Sequence, residues 1–554
     1  MATNALKNVL LLIADDLRPN LNVSYHQPYM HTPALDQFTS SALTFDRAYT
    51  NFAICSASRN SFLSGRVPDK TRVWNFINYF RQSGLSKDGS TGADWLSLPE
   101  LFKAHGYVVL GHGKTYHPNK PPNNDEPRSW SQEQPYVPLT STGCPKSPDG
   151  HQLRFCPDVG KKGSTDQSDF SDYNTTMSAL TTLRAYANGS KPFFIALGLH
   201  FPHQSWATPA WAVQKYDATT LAAAVHTDAP AGAPDIAFTA ELDGDDTLAL
   251  DESNPLLSPS APAAARGGVR TFACPRPGNN TVPLWAQRQL RQGYYSAVTH
   301  SDWLLGKMID ELSSLGRAHD TLVVVTADHG WQLGEHAEWG KHTNWELALQ
   351  VPLLIRAPWL PASMGKHTGS YFELIDLYRT VASLAGIDAS AIAADVDGSD
   401  ASKLLADPAT TLKTEAYSQY SRCPGDRFWP KRQPGVAAYV WNNCEEVPAR
   451  NITSMGYSVR TPDWRLTEWF EWDGASCAAR FDRTIGLELY DHRSDPPALD
   501  FDASENANVA AAPEHVAVVE GLKQKLRKRF DTGAALGCPP DPAAPHDVAA
   551  LEEM

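Results

Sequence analysis

Residues capable of chemistry are concentrated in the segment "AICSASRNSFLSGRVPD", residues 53–69, which combines a cysteine, several serines and two arginines. If a helix begins near Cys55, then Arg59 lies four residues later and shares its face. The amino terminus of a helix is positively polarised and presents free backbone N–H groups. Gly65 is expected to end this helix, with Pro68 just beyond. The segment therefore predicts an anion-attracting site in which the pKa of the Cys55 thiol is lowered.

Carboxylates follow two apolar runs directly. Asp15 and Asp16 end "NVLLLIADD", and Asp328 and His329 follow "TLVVVTA". Adjacent carboxylates repel each other unless a cation or cationic side chains neutralise them. An oxygen-rich set of this kind suits Ca²⁺ or Mg²⁺ better than zinc. The alternatives are a helix cap for the aspartates and a hydrogen-bonded structural role for the histidine.

Further cationic or titratable side chains lie in "GHGKTYHP", "GLHFPHQ" and "GEHAEWGKHTN". They are Lys114, His117, His200, His203, His336, Lys341 and His342. A buried lysine is costly unless it is paired, so Lys114, just after an apolar run, is expected to contact an anion. For each histidine taken singly, a structural role is the alternative.

Four apolar runs indicate the fold that positions these residues: "NVLLLIADD", "YVVLGHGKTYH", "FFIALGLHFPH" and "TLVVVTADHGW". Short continuous runs of this kind are typical of strands buried on both faces of a largely parallel sheet. Helical patterns lie between them, including "SLPELFKAHG" and a long one that stops at Gly316. The sequence predicts an α/β fold with helices on both faces of the sheet. Ligands then bind beyond the carboxyl ends of the strands, where the polar residues follow.

The chain is predicted to contain two domains, residues 1–410 and residues 411–554. Residues 217–283 are rich in Ala, Pro, Asp and Gly and are interpreted as a variable surface insertion in the first domain. In the second, "YSVRTPDWRLTEWFEW" predicts a hairpin, "IGLELYDHRSDP" a strand and "EHVAVVEGLKQKLRKRF" an amphipathic helix. This smaller domain is therefore expected to be α+β with an antiparallel sheet.

Charge and hydropathy limit the partners. The formal net charge of −14 argues against nucleic acid or an acidic membrane surface as a general partner. An anionic substrate must then be bound by a local cluster of cations. No apolar run approaches the roughly 20 residues that a membrane span requires.

Features bearing on the cellular compartment point in two directions. The opening "MATNALKNVLLLIADD" lacks the features of a signal peptide, so the protein is either cytoplasmic or its targeting segment is missing from this sequence. Cys144 and Cys156 flank a turn-rich segment that suits a local disulfide, and four further cysteines lie in the last quarter: Cys423, Cys444, Cys477 and Cys538. Five sites match the N-glycosylation pattern: Asn22, Asn174, Asn188, Asn279 and Asn451. Together these favour the secretory pathway, with a lysosomal or extracellular destination.

Several of these motifs resemble those of the sulfatase family, which has an alkaline-phosphatase-like fold. "CSASRNSFLSGR" resembles the signature Cys-x-Pro-Ser-Arg followed by Leu-Thr-Gly-Arg, and "LLIADDLRP", "GHGKTYHP", "HFPH" and "TADHGWQLGEHAEWGKHTN" resemble its companion motifs in the same order. The match runs in patches from about residue 8 to residue 497. Patches such as "GRVPDKTRVWNF" and "MGYSVRTPDWRLTEW" are most similar to the branch that acts on 2-O-sulfated iduronic acid. This chain departs from the signature at Ala57, where the signature has proline, and at Ser64, where the signature has threonine.

The resemblance implies a sulfuric ester hydrolase that acts on a sulfated sugar. Its expected substrate is a 2-O-sulfated uronic acid at the end of a glycosaminoglycan-like polysaccharide. A formylglycine-generating enzyme is expected to convert Cys55 to formylglycine, whose hydrate is the nucleophile. The resemblance assigns a Ca²⁺ site, with Mg²⁺ as the alternative ion, to Asp15, Asp16, Cys55, Asp328 and His329.

The resemblance also implies catalytic roles for residues outside the metal site. Arg59 is expected to steady the formylglycine hydrate, and Lys114 and Lys341 to bind sulfate oxygens. His203 is expected to protonate the departing alcohol, and His117 to act as the base that triggers sulfate elimination. Trp331 is interpreted either as part of the pocket wall or as a packed core aromatic.

Two other functions remain open from the sequence. The first is a phosphomonoester or phosphodiester hydrolase of the same superfamily; such enzymes use a serine or threonine nucleophile and commonly two zinc ions. Cys55 and the set of ligands for a single cation disfavour it. The second is a non-catalytic sulfated-glycan-binding protein in which Cys55 stays unmodified.

Overall fold

The structure is a computed structural model. It describes residues 6–139, 143–148, 150–157, 167–239, 247–251, 268–273, 282–424, 441–496, 500–531 and 537–539.

The described strands are numbered in chain order. They are β1 Asn8–Ala14, β2 Leu43–Phe45, β3 Ala48–Tyr49, β4 Val108–Gly113, β5 Val137–Pro138, β6 Phe155–Pro157, β7 Phe193–Leu199, β8 Trp206–Thr208, β9 Thr247–Asp251, β10 Val269–Ala273, β11 Thr321–Ala327, β12 Gln350–Val351, β13 Leu353–Arg356, β14 Lys366–Thr368, β15 Phe372–Glu373, β16 Ala416–Pro424, β17 Trp441–Asn442, β18 Ser454–Arg460, β19 Trp464–Asp473 and β20 Ala478–Asp491.

The described α-helices are numbered in the same way. They are α1 Asn22–Tyr25, α2 Pro33–Thr39, α3 Cys55–Ser64, α4 Pro68–Thr71, α5 Phe80–Ser83, α6 Leu98–Ala104, α7 Ser171–Tyr186, α8 Ala210–Val213, α9 Leu284–Ser314, α10 Glu346–Leu349, α11 Leu377–Leu384, α12 Lys403–Ala406 and α13 Val516–Phe530.

An eight-stranded sheet forms the centre of the molecule, in the order β14-β2-β13-β11-β1-β7-β4-β5. The four strands predicted from the apolar runs (β1, β4, β7 and β11) are neighbours in it, and all of them run parallel. Only β13 runs against its neighbours β11 and β2. The predicted large, mostly parallel sheet flanked by helices is confirmed; α6 and α7 pack on β4, and α7 also packs on β7.

The register of this sheet aligns the strand ends. Ala14 at the end of β1 pairs with Ala327 of β11 and with Leu199 of β7. Gly113 at the end of β4 pairs with Gly198. The polar residues that follow these strands therefore emerge along one edge, as parallel pairing requires.

Local sequence signals account for the helix boundaries near this edge. Helix α3 begins at Cys55 and ends where Gly65 adopts a left-handed φ of 69°. A Cβ on Gly65 would also lie 2.8 Å from Tyr378 side-chain carbons, so the position requires glycine on both counts. The long helix α9 ends just before Gly316, which has the same φ of 69°. Both predicted stops are confirmed.

The C-terminal part contains the predicted antiparallel sheet. Its order is β17-β16-β18-β19-β20, and the predicted hairpin is formed by β18 and β19. Helix α13 packs on β18 and β19. An apolar cluster joins this sheet to the segment before and within α3, through Phe52, Ile54 and Ala57 on one side and Met455 and Phe470 on the other. The C-terminal sheet therefore supports the helix that carries Cys55. The boundary near residue 410 stays a prediction.

Three disulfides are present among the described residues. The predicted local bridge Cys144–Cys156 is formed, and the last-quarter cysteines pair as Cys423–Cys444 and Cys477–Cys538. Cys274 lies outside the described residues. Cys55 is the described cysteine without a disulfide, and it is buried.

The described parts of the segment 217–283 contact the rest of the protein. Ile236 and Phe238 are buried in a small cluster with Trp345 and Trp469. Strands β9 and β10 form an antiparallel pair. No helix in the described ranges is long and apolar enough to cross a membrane.

Candidate active site

The strand ends and the start of α3 bring the predicted residues together in a buried cluster. Six of them have no measurable exposure: Asp15, Asp16, Cys55, Arg59, Asp328 and His329. Lys114 and Lys341 are 2% and 1% exposed. The expectation that these residues share one site is therefore met geometrically.

Arg59 joins the carboxylates of two neighbouring strand ends. Its Nη2 lies 2.9 Å from Asp15 Oδ1, and its Nε lies 2.9 Å from Asp328 Oδ2. Its Nη1 also donates to the carbonyl oxygens of Lys114 and Thr115. The Lys114 ammonium in turn pairs with Asp15 Oδ2. The predicted anionic partner of Lys114 is thus Asp15.

The second half of the cluster surrounds the Cys55 sulfur. Lys341 Nζ and His329 Nε2 each lie 3.3 Å from Cys55 Sγ. The same Lys341 Nζ lies 2.9 Å from Asp16 Oδ1. His329 Nε2 is 3.5 Å from Asp16 Oδ1 and 3.4 Å from Asp328 Oδ2. The sulfur is therefore surrounded by the groups predicted to hold a cation and a sulfate.

The donor set fits a hard divalent cation. One ligand atom from each of Asp15, Asp16, Cys55 and His329 lies within 4.8 Å of all the others. His329 Nδ1 is 3.1 Å from the Gly330 carbonyl oxygen, and donation there leaves the lone pair of Nε2 on the side of the carboxylates. Burial, followed by Lys341, lowers the pKa of His329 well below its usual value, which keeps the imidazole neutral as a metal ligand must be. Carboxylate oxygens, including those of Asp328, are the ligands that Ca²⁺ and Mg²⁺ prefer, whereas imidazole and sulfur ligands are more usual for zinc. The fit to a hard cation therefore rests on the carboxylates.

The predicted lowering of the Cys55 pKa is wrong. Burial raises the pKa of the thiol well above its usual value, and Asp15 raises it further, against the opposing effects of Lys114 and Lys341. The shared helix face of Cys55 and Arg59 predicts a guanidinium beside the thiol. In the structure, the Arg59 guanidinium is bound to Asp15 and Asp328 instead. Desolvation at the buried helix terminus outweighs the favourable field of the helix.

Charge pairing distinguishes the two strand-end carboxylates that Arg59 contacts. Burial acts to raise the pKa of Asp15, but Lys114 and then Arg59 hold it well below its usual value. Burial raises the pKa of Asp328 to about 6, although Arg59 opposes this. Lys114 has a raised pKa because Asp15 more than offsets the effect of burial. The pair of Asp15 and Lys114 is therefore ionised in the folded protein.

The two histidines predicted to transfer protons are half-buried at the rim of the cluster. His117 Nδ1 lies 2.8 Å from the Pro118 carbonyl oxygen, and its ring packs at 4.8 Å from Phe76. Burial, and then Lys114, lower the pKa of His117 well below its usual value. His203 Nδ1 contacts the Gln204 carbonyl oxygen, and its ring lies 4.8 Å from that of His200. Ligand atoms of His200 and His203 lie within 4.8 Å of one from Asp15.

The remaining candidates, Trp331, His336 and His342, differ in their position relative to the carboxylate cluster. Trp331 is 1% exposed, with the Lys341 ammonium 5.4 Å from the centre of its ring, so it is a packed aromatic that borders the cluster. His336 is held by Gln332 and by the Ser504 carbonyl oxygen. His342 Nε2 lies 2.8 Å from Glu445 Oε1. Among these contacts, none joins His336 or His342 to the carboxylate cluster.

Three supporting residues were not recognised in the sequence. Tyr294 on α9 donates to the Asp16 carbonyl oxygen at 2.8 Å, which supports Asp16 in a left-handed conformation with φ 59°. Asp172 on α7 accepts from the backbone N–H groups of His200 and Phe201, each at 2.8 Å. Ser58 donates to the Asp328 carbonyl oxygen at 2.6 Å. Tyr294 and Asp172 lie within helical patterns, where no local signal distinguishes them from residues of the helix surface.

Comparisons with known proteins agree with this geometry. A family model described as Sulfatase matches residues 7–387. Iduronate 2-sulfatase of Mus musculus is 32% identical over 551 residues, covering 89% of this chain and 90% of that protein. Iduronate 2-sulfatase of Homo sapiens is 30% identical over 546 residues, with coverage of 89% and 90%. Among solved structures, the phosphonate monoester hydrolase SpPMH of Silicibacter pomeroyi has a TM-score of 0.64 at 22% identity, covering 95% of this chain and 96% of that one. At that identity the likeness concerns the fold alone.

Proposed function

Since the chain belongs to the sulfatase family and hydrolyses sulfate esters, we propose that its substrate is a 2-O-sulfated uronic acid at the end of a glycosaminoglycan-like polysaccharide. The observation that carries the chemistry is the cluster around Cys55, where Lys341 and His329 each lie 3.3 Å from the sulfur. The choice of sugar is supported by identity of about 30% with iduronate 2-sulfatases over most of the chain. The sulfate is proposed to leave from the terminal sugar.

Charge balance explains how this site attracts a sulfate ester in a protein of net charge −14. The cluster contains three carboxylates, from Asp15, Asp16 and Asp328, and three cationic groups, from Arg59, Lys114 and Lys341. A divalent cation held by these carboxylates and His329 would give the site an excess of positive charge. It would also supply Lewis acidity to the nucleophile and to the sulfate.

Each side chain then has a role set by its position. Lys341 and Lys114 bind sulfate oxygens and offset the charge that develops on them. Arg59 holds Asp15 and Asp328 in place and steadies the nucleophile at the start of α3. His203 protonates the departing sugar oxygen. His117 accepts a proton in the second step, because its lowered pKa leaves the imidazole uncharged near neutral pH.

The nucleophile is proposed to be formylglycine made from Cys55. Its hydrate would supply one hydroxyl for attack on sulfur and a second whose deprotonation lets sulfate leave by elimination. Two observations support this proposal: the position of Cys55 at the first residue of α3, and the raised pKa of its thiol, which keeps an unmodified Cys55 in the protonated, weakly nucleophilic form. The proposed ion is Ca²⁺, with Mg²⁺ as the alternative.

Maturation in the secretory pathway is consistent with the described surface. Three disulfides are formed, and disulfides persist in oxidising compartments. Of the predicted glycosylation sites, Asn174, Asn188 and Asn451 are exposed, Asn22 is half-buried and Asn279 lies outside the described residues. We therefore propose that the chain meets the formylglycine-generating enzyme there and reaches a lysosomal or extracellular site.

Activity on defined disaccharides tests the substrate. Unsaturated or iduronate disaccharides sulfated at O2 of the uronic acid are compared with isomers sulfated at the amino sugar, and released sulfate is measured. We expect turnover of the 2-O-sulfated compounds only. An aryl sulfate and an aryl phosphate serve as chemical controls. Faster release of phosphate than of sulfate would support the phosphoester hydrolase instead.

Mass spectrometry of the peptide that contains Cys55 tests the nucleophile. Protein produced together with a formylglycine-generating enzyme is expected to contain the aldehyde at position 55. Ala57→Pro is expected to raise the converted fraction. The change restores the signature proline in the first turn of α3, where the backbone N–H has no partner within the helix. Unconverted cysteine in both proteins would leave a glycan-binding protein as the better description.

A further inference from the structure

A cavity of about 570 Å³ lies away from the candidate active site. Its walls come from the segment that follows α3, from the antiparallel sheet and from the end of α13, and none of the candidate active-site residues lines it. Along the chain, the ten residues of helix α3 begin at Cys55 and end before the first residue that lines the cavity, Val67. The volume is within the range of about 300–1,000 Å³ that is usual for small-molecule sites.

The cavity contains an arginine without an acidic partner. Arg72 is 6% exposed, and its Nη2 donates to the Gly537 carbonyl oxygen. Within the described part of the chain, no carboxylate forms an ion pair with this guanidinium. The pKa of Arg72 is lowered by burial alone, which agrees with the absence of a nearby negative charge. A buried cation is costly without a counter-ion, so this one is suited to a ligand that brings its own negative charge.

Three of the other cations that line this cavity have acidic partners. Lys70 pairs with Asp397 at 2.7 Å, and Arg480 lies 3.7 Å from Asp473. Arg529 lies 4.0 Å from Glu373. These pairs neutralise three of the cations of the wall. Arg72 is the buried cation of the wall that has no carboxylate partner among the described residues, and Lys87 on the same wall is exposed.

Aromatic rings form a large part of the same wall. Trp74 and Trp472 meet edge to face with ring centres 5.0 Å apart, and Phe481 lines the cavity beside them. Both indole N–H groups are already used: Trp74 donates to Asp69 at 3.3 Å, and Trp472 donates to the Ala449 carbonyl oxygen at 3.0 Å. Trp74 is 2% and Trp472 is 7% exposed, so little of either ring reaches the cavity. Phe481, which is half-buried, offers the apolar ring surface on which the C–H face of a sugar packs.

We propose that this cavity is a non-catalytic binding site for an anionic sugar residue of an oligosaccharide. The sulfate or carboxylate of the sugar pairs with the Arg72 guanidinium, and its ring packs against Phe481. A planar guanidinium binds either anion through two parallel hydrogen bonds. This proposal rests on the proposed function in one respect: a sulfated uronate polysaccharide, the proposed substrate, would supply the anionic sugar residues that bind in the cavity.

Calorimetric titration with a heparin-derived tetrasaccharide tests the second site. The protein carries Cys55→Ala, which prevents turnover, and is compared with the double variant Cys55→Ala/Arg72→Gln. We expect two binding sites in the first protein. In the double variant, we expect one of the two sites to bind the tetrasaccharide at least about tenfold more weakly, because a charge-assisted pair is removed. Arg480→Gln in the Cys55→Ala protein is the matched control, because the exposed Arg480 side chain already pairs with Asp473. Its affinity for the tetrasaccharide is expected to change by less than about twofold.

Further arms separate the possible outcomes. A single site in the Cys55→Ala protein, or equal binding with and without Arg72→Gln, overturns the proposal. Binding of inorganic sulfate at this site as tight as that of the tetrasaccharide overturns the assignment to a sugar. Arg72→Lys keeps the charge but loses the paired hydrogen bonds. It provides a second test if Arg72→Gln lowers the unfolding temperature, and it too is expected to weaken binding about tenfold.

Failure of the proposed substrate would look different. The single variant Arg72→Gln, with Cys55 intact, is expected to hydrolyse a small aryl sulfate at the rate of the unaltered enzyme. If the unaltered enzyme does not hydrolyse 2-O-sulfated disaccharides, the proposed substrate is wrong. The calorimetric result at Arg72 would be unchanged by that outcome.

Discussion

At the scale of single residues, the candidate site is an array of paired charges rather than a set of isolated reactive groups. Arg59 is bound to Asp15 and Asp328, Lys114 to Asp15, and Lys341 to Asp16. Each cation is thus held in position by a carboxylate on a strand end or its following turn. Such preorganised charges stabilise developing negative charge without having to reorganise during the reaction.

Removal of the Lys114 charge tests this role. Lys114→Met is expected to lower kcat/KM for an aryl sulfate by about 10²–10³-fold, because the ammonium beside Asp15 no longer offsets charge on the sulfate. Lys120→Met is the control: Lys120 follows the same strand but is exposed and pairs with Glu446 on the surface. Its activity is expected to stay within about twofold. Equal activity of the two variants would contradict the assignment of Lys114.

At the scale of elements, close approach of two strand ends positions Lys114. Its backbone N–H donates to the Gly198 carbonyl oxygen at 2.7 Å. Glycines at both strand ends permit this contact. A Cβ on Gly113 would lie 2.1 Å from the Gly198 carbonyl oxygen, and one on Gly198 would lie 2.1 Å from backbone atoms of Lys114. The sheet edge therefore sets the position of the lysine through its backbone.

Gly113→Ala tests the contact between these strands. The variant is expected to lose about 3 kcal/mol of unfolding free energy, measured by urea denaturation, because overpacking adds to the strain of a φ of 69°. Gly106→Ala is the matched control, since Gly106 has a φ of 83° but open space around the added Cβ. It is expected to lose only about 1 kcal/mol. Equal losses in the two variants would show that backbone strain alone acts at Gly113.

At the scale of the whole molecule, a buried ionic network joins the C-terminal part to the segment that follows Lys341. Glu346 on α10 accepts from Arg460 and Arg465 of the antiparallel sheet, and its backbone N–H donates to Glu505 at 2.6 Å. His492 completes the network: its Nδ1 lies 2.6 Å from Asp495, and its Nε2 lies 3.2 Å from Glu505.

This network predicts a pH dependence of stability. Burial and Arg460 act to lower the pKa of His492, but Asp495 and Glu505 raise it above its usual value. The protonated form therefore stabilises the fold fully below about pH 6.5, the unfolded value, and this stabilisation is lost as the pH rises through the folded pKa. We expect His492→Gln to reduce the unfolding free energy more at about pH 5.5 than at about pH 8.5.

Urea denaturation of both proteins at the two pH values measures this difference. His319 is exposed and distant from His492 in the sequence. His319→Gln is therefore the control for general effects of losing an imidazole. A larger effect of His492→Gln at the higher pH than at the lower one would contradict a raised pKa for this histidine.

Removal of the metal is also expected to act on the whole molecule. Chelation with EGTA should lower the unfolding temperature and abolish activity, and Ca²⁺ should restore both, because an ion bound only by the folded state stabilises it by about 2.7 kcal/mol at about 100 times its Kd. Mg²⁺ in a parallel sample identifies the preferred ion. Asp16→Asn is expected to show no shift with either ion. An unfolding temperature that is insensitive to EGTA, together with no calcium in elemental analysis, would contradict the assigned site.

Features that depend on the local order of residues could be predicted from the amino-acid sequence alone. Four apolar runs, each followed at once by polar residues, identify the parallel strands and the edge at which Asp15, Lys114 and Asp328 emerge. The start of α3 at Cys55 and its stop at Gly65 follow from local helix signals in the same way. These predictions succeeded because strand and helix periodicity is a property of neighbouring residues.

Contacts between residues that are distant in the chain could be identified only from the folded structure. Arg59 and Asp328 are 269 residues apart in the chain, and only the fold brings the guanidinium into contact with this carboxylate and with that of Asp15. For the same reason, the raised pKa of Cys55, the support of Asp16 by Tyr294 and the position of Arg72 beside two tryptophans could not be predicted. Burial and electrostatic pairing depend on distances across the folded protein, and local sequence patterns do not contain them.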